Sequence, residues 1–191
     1  MRGLIGFLIV SSVVLSSPAV AQNTAESCST MVGIPGVAIY VDSLSVEMID
    51  KGMTETVFAV EIERILLESG IPVLHPEVKE KDQNVPGNPV LYVGITTVFQ
   101  FGDTQCLYGI RVEFTQTVRL ERNPGYVVEH VPTWSVGGIG IYQTGWRDAL
   151  IDDVLGFTEQ FIVAFYEANP LLKPEPGDST KTEGFKYDAL D

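Results

Sequence analysis

One stretch constrains the fold more than any other. Between residues 106 and 120, apolar side chains fall on even positions (Cys106, Tyr108, Ile110, Val112, Phe114, Val118 and Leu120). The odd positions between them carry Arg111, Glu113, Thr115, Thr117 and Arg119. Period two sustained over such a length belongs to a β-strand, whose successive side chains point to opposite faces. The stretch therefore demands a sheet with one face packed and the other in water. Upstream, Leu91, Val93, Ile95, Phe99 and Phe101 hold odd positions, a second strand of the same character, and Gly102-Asp103-Thr104 turns the chain between the two. Downstream, Asn123-Pro124-Gly125 has Pro and Gly where a type II turn uses them, so residues 126–135 read as the third strand of a meander. Pro132 lies within that strand and, lacking an N–H, favours a sheet edge or a bulge.

The remaining elements fit around this meander. Residues 37–42 read as a first strand, and 43–52 continue extended to a turn at Asp50-Lys51-Gly52. Residues 54–69 read as a helix, with Thr54 at its start, Val57, Val60, Ile62, Ile65 and Leu66 on its apolar face, and Gly70 as its stop. Ile71-Pro72-Val73-Leu74 reads as a short edge strand, and 77–89 as a polar loop. Residues 136–145 are glycine-rich and read as a loop. A long helix follows to Ala168, carrying a stripe of Leu150, Val154, Phe157, Phe161 and Phe165, and Asn169-Pro170 ends it. The predicted fold is α/β of the α+β kind: a two-layer sandwich whose mixed, mostly antiparallel sheet has about five strands, with two helices on one face. The first strand–helix–strand unit is expected to be parallel and right-handed. A membrane β-barrel would need at least eight strands, more than the sequence supplies.

The amino terminus reads as an address. Met1-Arg2 precedes an apolar run over 4–15, and Ser16-Ser17-Pro18-Ala19-Val20-Ala21-Gln22 follows. A basic start, a short apolar core and an Ala-x-Ala site make a secretory signal peptide. The run is well short of the ~20 residues that cross a bilayer, so no transmembrane helix should remain after cleavage at Ala21. The expected organisation is signal peptide over 1–21, lead over 22–36, one domain over 37–170 and a disordered tail over 171–191. Glu26 close before Cys28 argues against lipid attachment there. Two cysteines in an exported chain invite a Cys28–Cys106 disulfide, which would contribute about 4 kcal/mol, and two unbridged thiols are the alternative.

The formal charge of −13, with Lys and Arg scattered, disfavours nucleic acid and anionic lipid as partners. His75 and His130 are the only histidines, and no Gly-x-Ser-x-Gly elbow accompanies them. His130 shares the apolar parity of its strand, which marks it as half-buried rather than as a base. No His or Cys spacing suits zinc, no calcium-loop pattern occurs, and Asp152-Asp153 reads as a solvated pair on a helix. Gly137-Gly138-Ile139-Gly140 before a helix loosely suggests a phosphate cradle but lacks the Lys-Ser/Thr of a P-loop. Glu61 with Glu63, or Glu113 with Glu121, offer carboxylates for hydrolysis without a sequence-visible cleft. No catalytic, cofactor or metal residue is therefore assigned. Trp134 and Trp146 flank the glycine segment, and this loop, with Gly137, Gly138 and Gly140, is the expected contact surface.

Val60-Glu61, then Leu66-Leu67-Glu68-Ser69-Gly70-Ile71-Pro72-Val73-Leu74, Leu91-Tyr92-Val93, the alternating run from Tyr108, and Phe165-Tyr166-Glu167-Ala168-Asn169-Pro170 form a layout over 37–170. It resembles small exported bacterial envelope domains: the amino-terminal domain of the Tol-system periplasmic protein, the lipoprotein activators of penicillin-binding proteins, and uncharacterised exported proteins of similar pattern. The resemblance implies a binding or assembly role in the envelope rather than an enzyme, and carries over no functional residue. The expectation is an exported, periplasmic or secreted, protein–protein interaction module with unidentified envelope partners. The alternatives are a binder of a small apolar ligand or lipid between helices and sheet, and a hydrolase using a carboxylate or His130.

Overall fold

The computed structural model describes residues 25–75, 85–100, 105–143 and 145–173. The expected signal peptide over 1–21, most of the expected 77–89 loop, the expected turn at 102–104 and nearly all of the expected tail lie outside the described residues. The elements in chain order are α1 (Ala25–Ser29), β1 (Ala38–Val41), α2 (Val46–Asp50), α3 (Glu55–Glu68), β2 (Val90–Gln100), β3 (Gln105–Leu120), β4 (Asn123–Tyr142) and α4 (Trp146–Ala168), with a closing 3₁₀ turn at Pro170–Leu172. One sheet runs in the order β1-β2-β3-β4. β1 lies parallel to β2, and the other two pairings are antiparallel. The fold is thus α+β, with one mixed sheet.

The alternation read in the sequence sets which face is packed. Leu91, Val93, Ile95, Ile110, Val112, Phe114, Trp134 and Val136 are buried on one side of the sheet. They meet Phe58, Ile62 and Leu66 of α3, and Leu150, Val154, Phe161 and Phe165 of α4, in a single core. α3 packs on β1 and α4, while α4 packs on β3 and β4. Burying a side chain of this size contributes about 1.5–3 kcal/mol. Phe161 is central, with its ring 5.6 Å from Trp134 and 5.8 Å from Phe114.

Several expectations change. Among the described residues the sheet has four strands rather than about five, because residues 71–74 make only an isolated parallel bridge, Val37 to Val73. Pro72 has no N–H to donate and so cannot extend a ladder. Residues 46–50 form the short helix α2, capped by the Ser45 hydroxyl accepting from the Met48 N–H at 3.3 Å, instead of an extended run. On α3 the buried line is Phe58–Ile62–Leu66 at spacing four, leaving Val60 56% exposed. The hairpin between β3 and β4 turns at Glu121 and Arg122, with Leu120 paired to Asn123, so Pro124 and Gly125 lie inside β4. An edge strand accepts them, since its outer N–H groups need no partner.

The lead over 25–36 belongs to the core. Met31 and Ile34 are buried, and buried Asn169 reaches them from the end of α4. Its amide donates to the Met31 carbonyl at 2.9 Å and the Phe165 carbonyl at 3.0 Å, and its oxygen accepts from the Gly33 N–H at 2.8 Å. The Cys28–Cys106 bridge is not formed, and both thiols are free. Gln116 of β3 donates to the Thr30 carbonyl beside α1, whereas Cys106 opens the same strand. That separation of strand corresponds to roughly 30 Å, far beyond disulfide reach. Burial, foremost, pushes the Cys106 thiol above its usual range.

Candidate functional site

The glycine-rich segment is the largest departure from the sequence reading. β4 continues unbroken through Gly137, Gly138 and Gly140 to Tyr142. Each glycine answers a close approach. A Cβ on Gly137 would collide with the Ile110 carbonyl of β3, one on Gly138 would lie 3.0 Å from the Phe157 ring of α4, and one on Gly140 would enter the Tyr108 ring. Trp134 is 3% exposed and belongs to the core, so it is no contact residue. Trp146 is half-buried, edge-on to Phe99 with ring centroids 5.0 Å apart, and Arg147 lies over it. The expected Trp-flanked contact loop is therefore a packed strand.

What β4 presents instead is the other side of the sheet, which the core leaves uncovered. Register places Val98 beside Leu107 and Leu107 beside Ile141, with Ile139 beside Gly109. Val98 is 52%, Ile141 61% and Ile139 86% exposed. Isolated exposed apolar residues are ordinary, but here they form one band across three adjacent strands. Next to the band, Gly94, Gly109 and Gly137, one from each strand, help to line a trough of about 700 Å³. Asp42, Arg111 and Ile139 also line it.

At one side of the trough the sequence's charged parity becomes a network. The Tyr92 hydroxyl donates to the Asp42 carboxylate, and Arg111 donates to the Tyr92 oxygen at 3.4 Å. Arg111 also lies 5.3 Å over the Tyr92 ring and 3.3 Å from the Glu113 carboxylate, while Tyr40 stacks on Tyr92 at 5.8 Å. The Tyr92 hydrogen bond, then the Ser43 N–H, hold the Asp42 carboxyl below the usual carboxylate range. Burial, then the bond to Asp42, push the Tyr92 phenol above its usual value. The trough is thus lined by a carboxylate and a guanidinium, with a neutral phenol bonded to both behind them, groups suited to recognition through hydrogen bonds.

A second cluster ties the sheet to α4. Tyr108 and Tyr142 stack with centroids 4.4 Å apart, and both hydroxyls donate to Asp153, that of Tyr108 at 2.6 Å. The Ala149 carbonyl lies 2.8 Å from the same Tyr142 hydroxyl and shares its single proton with Asp153. Burial is the first cause raising both phenols above their usual value, and the bond to Asp153 is the second. Asp153 is thus not the solvated residue its sequence context indicates. Only the third dimension brings two tyrosines of adjacent strands over one helical carboxylate.

The other candidates do not converge. His75 sits 3.5 Å from Glu63 at the β1 side of the sheet. His130 is exposed on β4, the opposite edge, with a left-handed φ of 53°. It falls at a register shift, where Glu129 and His130 together oppose the single Thr117, and this one-residue bulge overturns the parity that marked it as half-buried. Glu61 pairs with Arg64, and Glu113 lies far along β3 from Glu121 in the hairpin turn. Among the described residues, no group of three or more His, Cys, Asp or Glu is placed to hold a metal ion. Likewise, no described helix is long and apolar enough to cross a membrane. No protein-family model matches the sequence, and comparison with curated proteins gives no match.

Proposed function

We infer that this chain is an exported envelope protein that works by docking a protein partner on its open sheet face. The amino-terminal pattern supports export to the periplasm. The observation that carries the docking reading is the apolar band Val98–Leu107–Ile141 with Ile139, lying in register across three strands beside a polar-edged trough. Apolar contact at the centre and hydrogen-bonding groups at the margin are the anatomy of a protein interface. The trough's Asp42 and Arg111, held together by Tyr92, would fix the partner's orientation, and the band would supply most of the buried area.

The test is crosslinked affinity purification of the tagged chain from its own envelope fraction, run beside two variants. Val98→Glu places a charge in the band, while Val163→Glu changes an exposed residue of α4 on the opposite side of the fold. A stoichiometric partner kept by Val163→Glu and lost at least tenfold with Val98→Glu is the expected result. Recovery of the chain without a partner, or a partner indifferent to Val98→Glu, would overturn the reading. The same trough volume favours one second reading, a small ligand on the open face, since ligand sites span about 300–1,000 Å³. Native mass spectrometry of the purified protein would show such a ligand as a discrete added mass.

A further inference from the structure

The outer edge of β4 is the end of the sheet, and its two halves are not alike. Over 123–132 the strand carries Pro124 and Pro132, the charged Glu129, and the bulge at His130. These are the devices by which proteins keep a strand edge from pairing with another chain. From Trp134 to Tyr142 none is present: register with β3 runs unbroken, and no proline or charged residue occurs. No charge stands anywhere from 131 to 146, in a chain whose formal charge is −13. No strand covers this edge among the described residues.

We propose that residues 136–142 of β4 pair antiparallel with the same residues of a second copy of the chain, joining two sheets into one. An unpaired strand edge recognises a strand, because its outward N–H and C=O groups require a matching ladder. The sequence of this half favours its own copy as that strand. A two-fold axis at Ile139 sets each Gly137 opposite Ile141 of the partner on the open face, a small residue against a large one. On the packed face, Gly138 meets Gly140 and Val136 meets Tyr142. Such an isologous contact closes on itself and propagates no further. It also puts the two Ile139 side chains, the most exposed of the open-face band, against each other. In a strongly acidic chain, an uncharged edge is where two copies approach with least repulsion. The pairing is bounded on one side by Pro132 and on the other by the start of α4, where the chain leaves the sheet. The contact is therefore short, and the dimer dissociates measurably on dilution.

The experiment is sedimentation equilibrium of the whole chain, expressed with its amino terminus intact for processing, from micromolar to millimolar concentration. A monomer–dimer equilibrium is expected, weakened at least tenfold in Ile139→Lys, whose site is exposed enough to leave the monomer folded. Val98→Glu, on β2 away from the edge, leaves the dimer intact. In a Cys28→Ser background, Ile139→Cys should crosslink to its own copy on mild oxidation at least tenfold faster than Val163→Cys. That comparison decides the matter even if the lysine variant misfolds. A chain monomeric throughout, a dimer indifferent to Ile139→Lys, equal crosslinking at 139 and 163, or a monomer whose edge takes a strand from a different protein would each overturn the proposal.

Discussion

The first and second halves of β4 are one strand on one edge, built on opposite principles. Residues 123–132 are interrupted by prolines and a bulge, and His130 sits in left-handed backbone. Residues 134–142 run regularly, with glycines at every place where β3, Tyr108 or Phe157 comes close. The first half is shaped by what must be kept away from the edge. The second is shaped by what packs against the strand, and it carries the exposed band as a consequence. Composition alone does not separate the two, since both halves contain residues that read as turn formers.

The sharpest way to break this comparison is to fill a glycine in each half. Gly137→Val drives a side chain into the Ile110 carbonyl and should destabilise the fold by about 1–3 kcal/mol in urea denaturation. Gly125→Ala meets only the Asn123 oxygen, at 3.6 Å, and should stay within about 0.5 kcal/mol of the parent. Equal losses would dissolve the distinction between the halves.

Alkali probes the anchor at the end of the second half. The folded state raises the Tyr108 and Tyr142 phenols above their unfolded value, so it favours their protonated forms. That contribution is complete below about pH 10, the unfolded value, and is lost as pH rises through the folded values. Urea midpoints should fall above about pH 10, with tyrosinate absorbance rising together with unfolding. Tyr142→Phe, which removes the hydroxyl shared between Asp153 and Ala149, should lower stability at neutral pH by about 1 kcal/mol and flatten the alkaline decline. A steeper decline in the variant would show that the cluster is not the alkali-sensitive element. A small effect of opposite sign is expected in the first half. His130→Gly relieves a left-handed backbone and should stabilise by about 0.5–1 kcal/mol, read as a raised urea midpoint.

Much of the fold was legible wherever a periodic pattern met no neighbour-imposed exception. Leu91, Val93, Ile95, Ile110, Val112 and Phe114 could be assigned to the packed face from parity alone, and the α4 stripe from Leu150 to Phe165 from spacing. The exceptions have physical causes outside the local sequence. The glycines of β4 read as a loop because the atoms that require them belong to β3 and α4. Asp153 read as solvated because the two phenols that bond it lie on adjacent strands. The bulge reset the parity at His130, and Pro72 ended a ladder that Val73 begins. Of the candidate site, Arg111 and Glu113 were legible as residues of the wet face. The trough was not, since Gly94, Gly109 and Gly137 become neighbours only through the register of three strands.

Asn169 carries a consequence for how the chain is completed. Its amide joins the end of α4 to Met31 and Gly33, partners 138 and 136 positions earlier. Contacts of such long range form late, after the loop between them has closed. During synthesis the lead has no fixed seat until nearly the whole domain exists, and a chain cut short before Asn169 leaves Met31 and Ile34 with part of their cover missing. The amide therefore acts as a completeness check: its hydrogen bonds to Met31 and Gly33 form only when both ends of the domain are present.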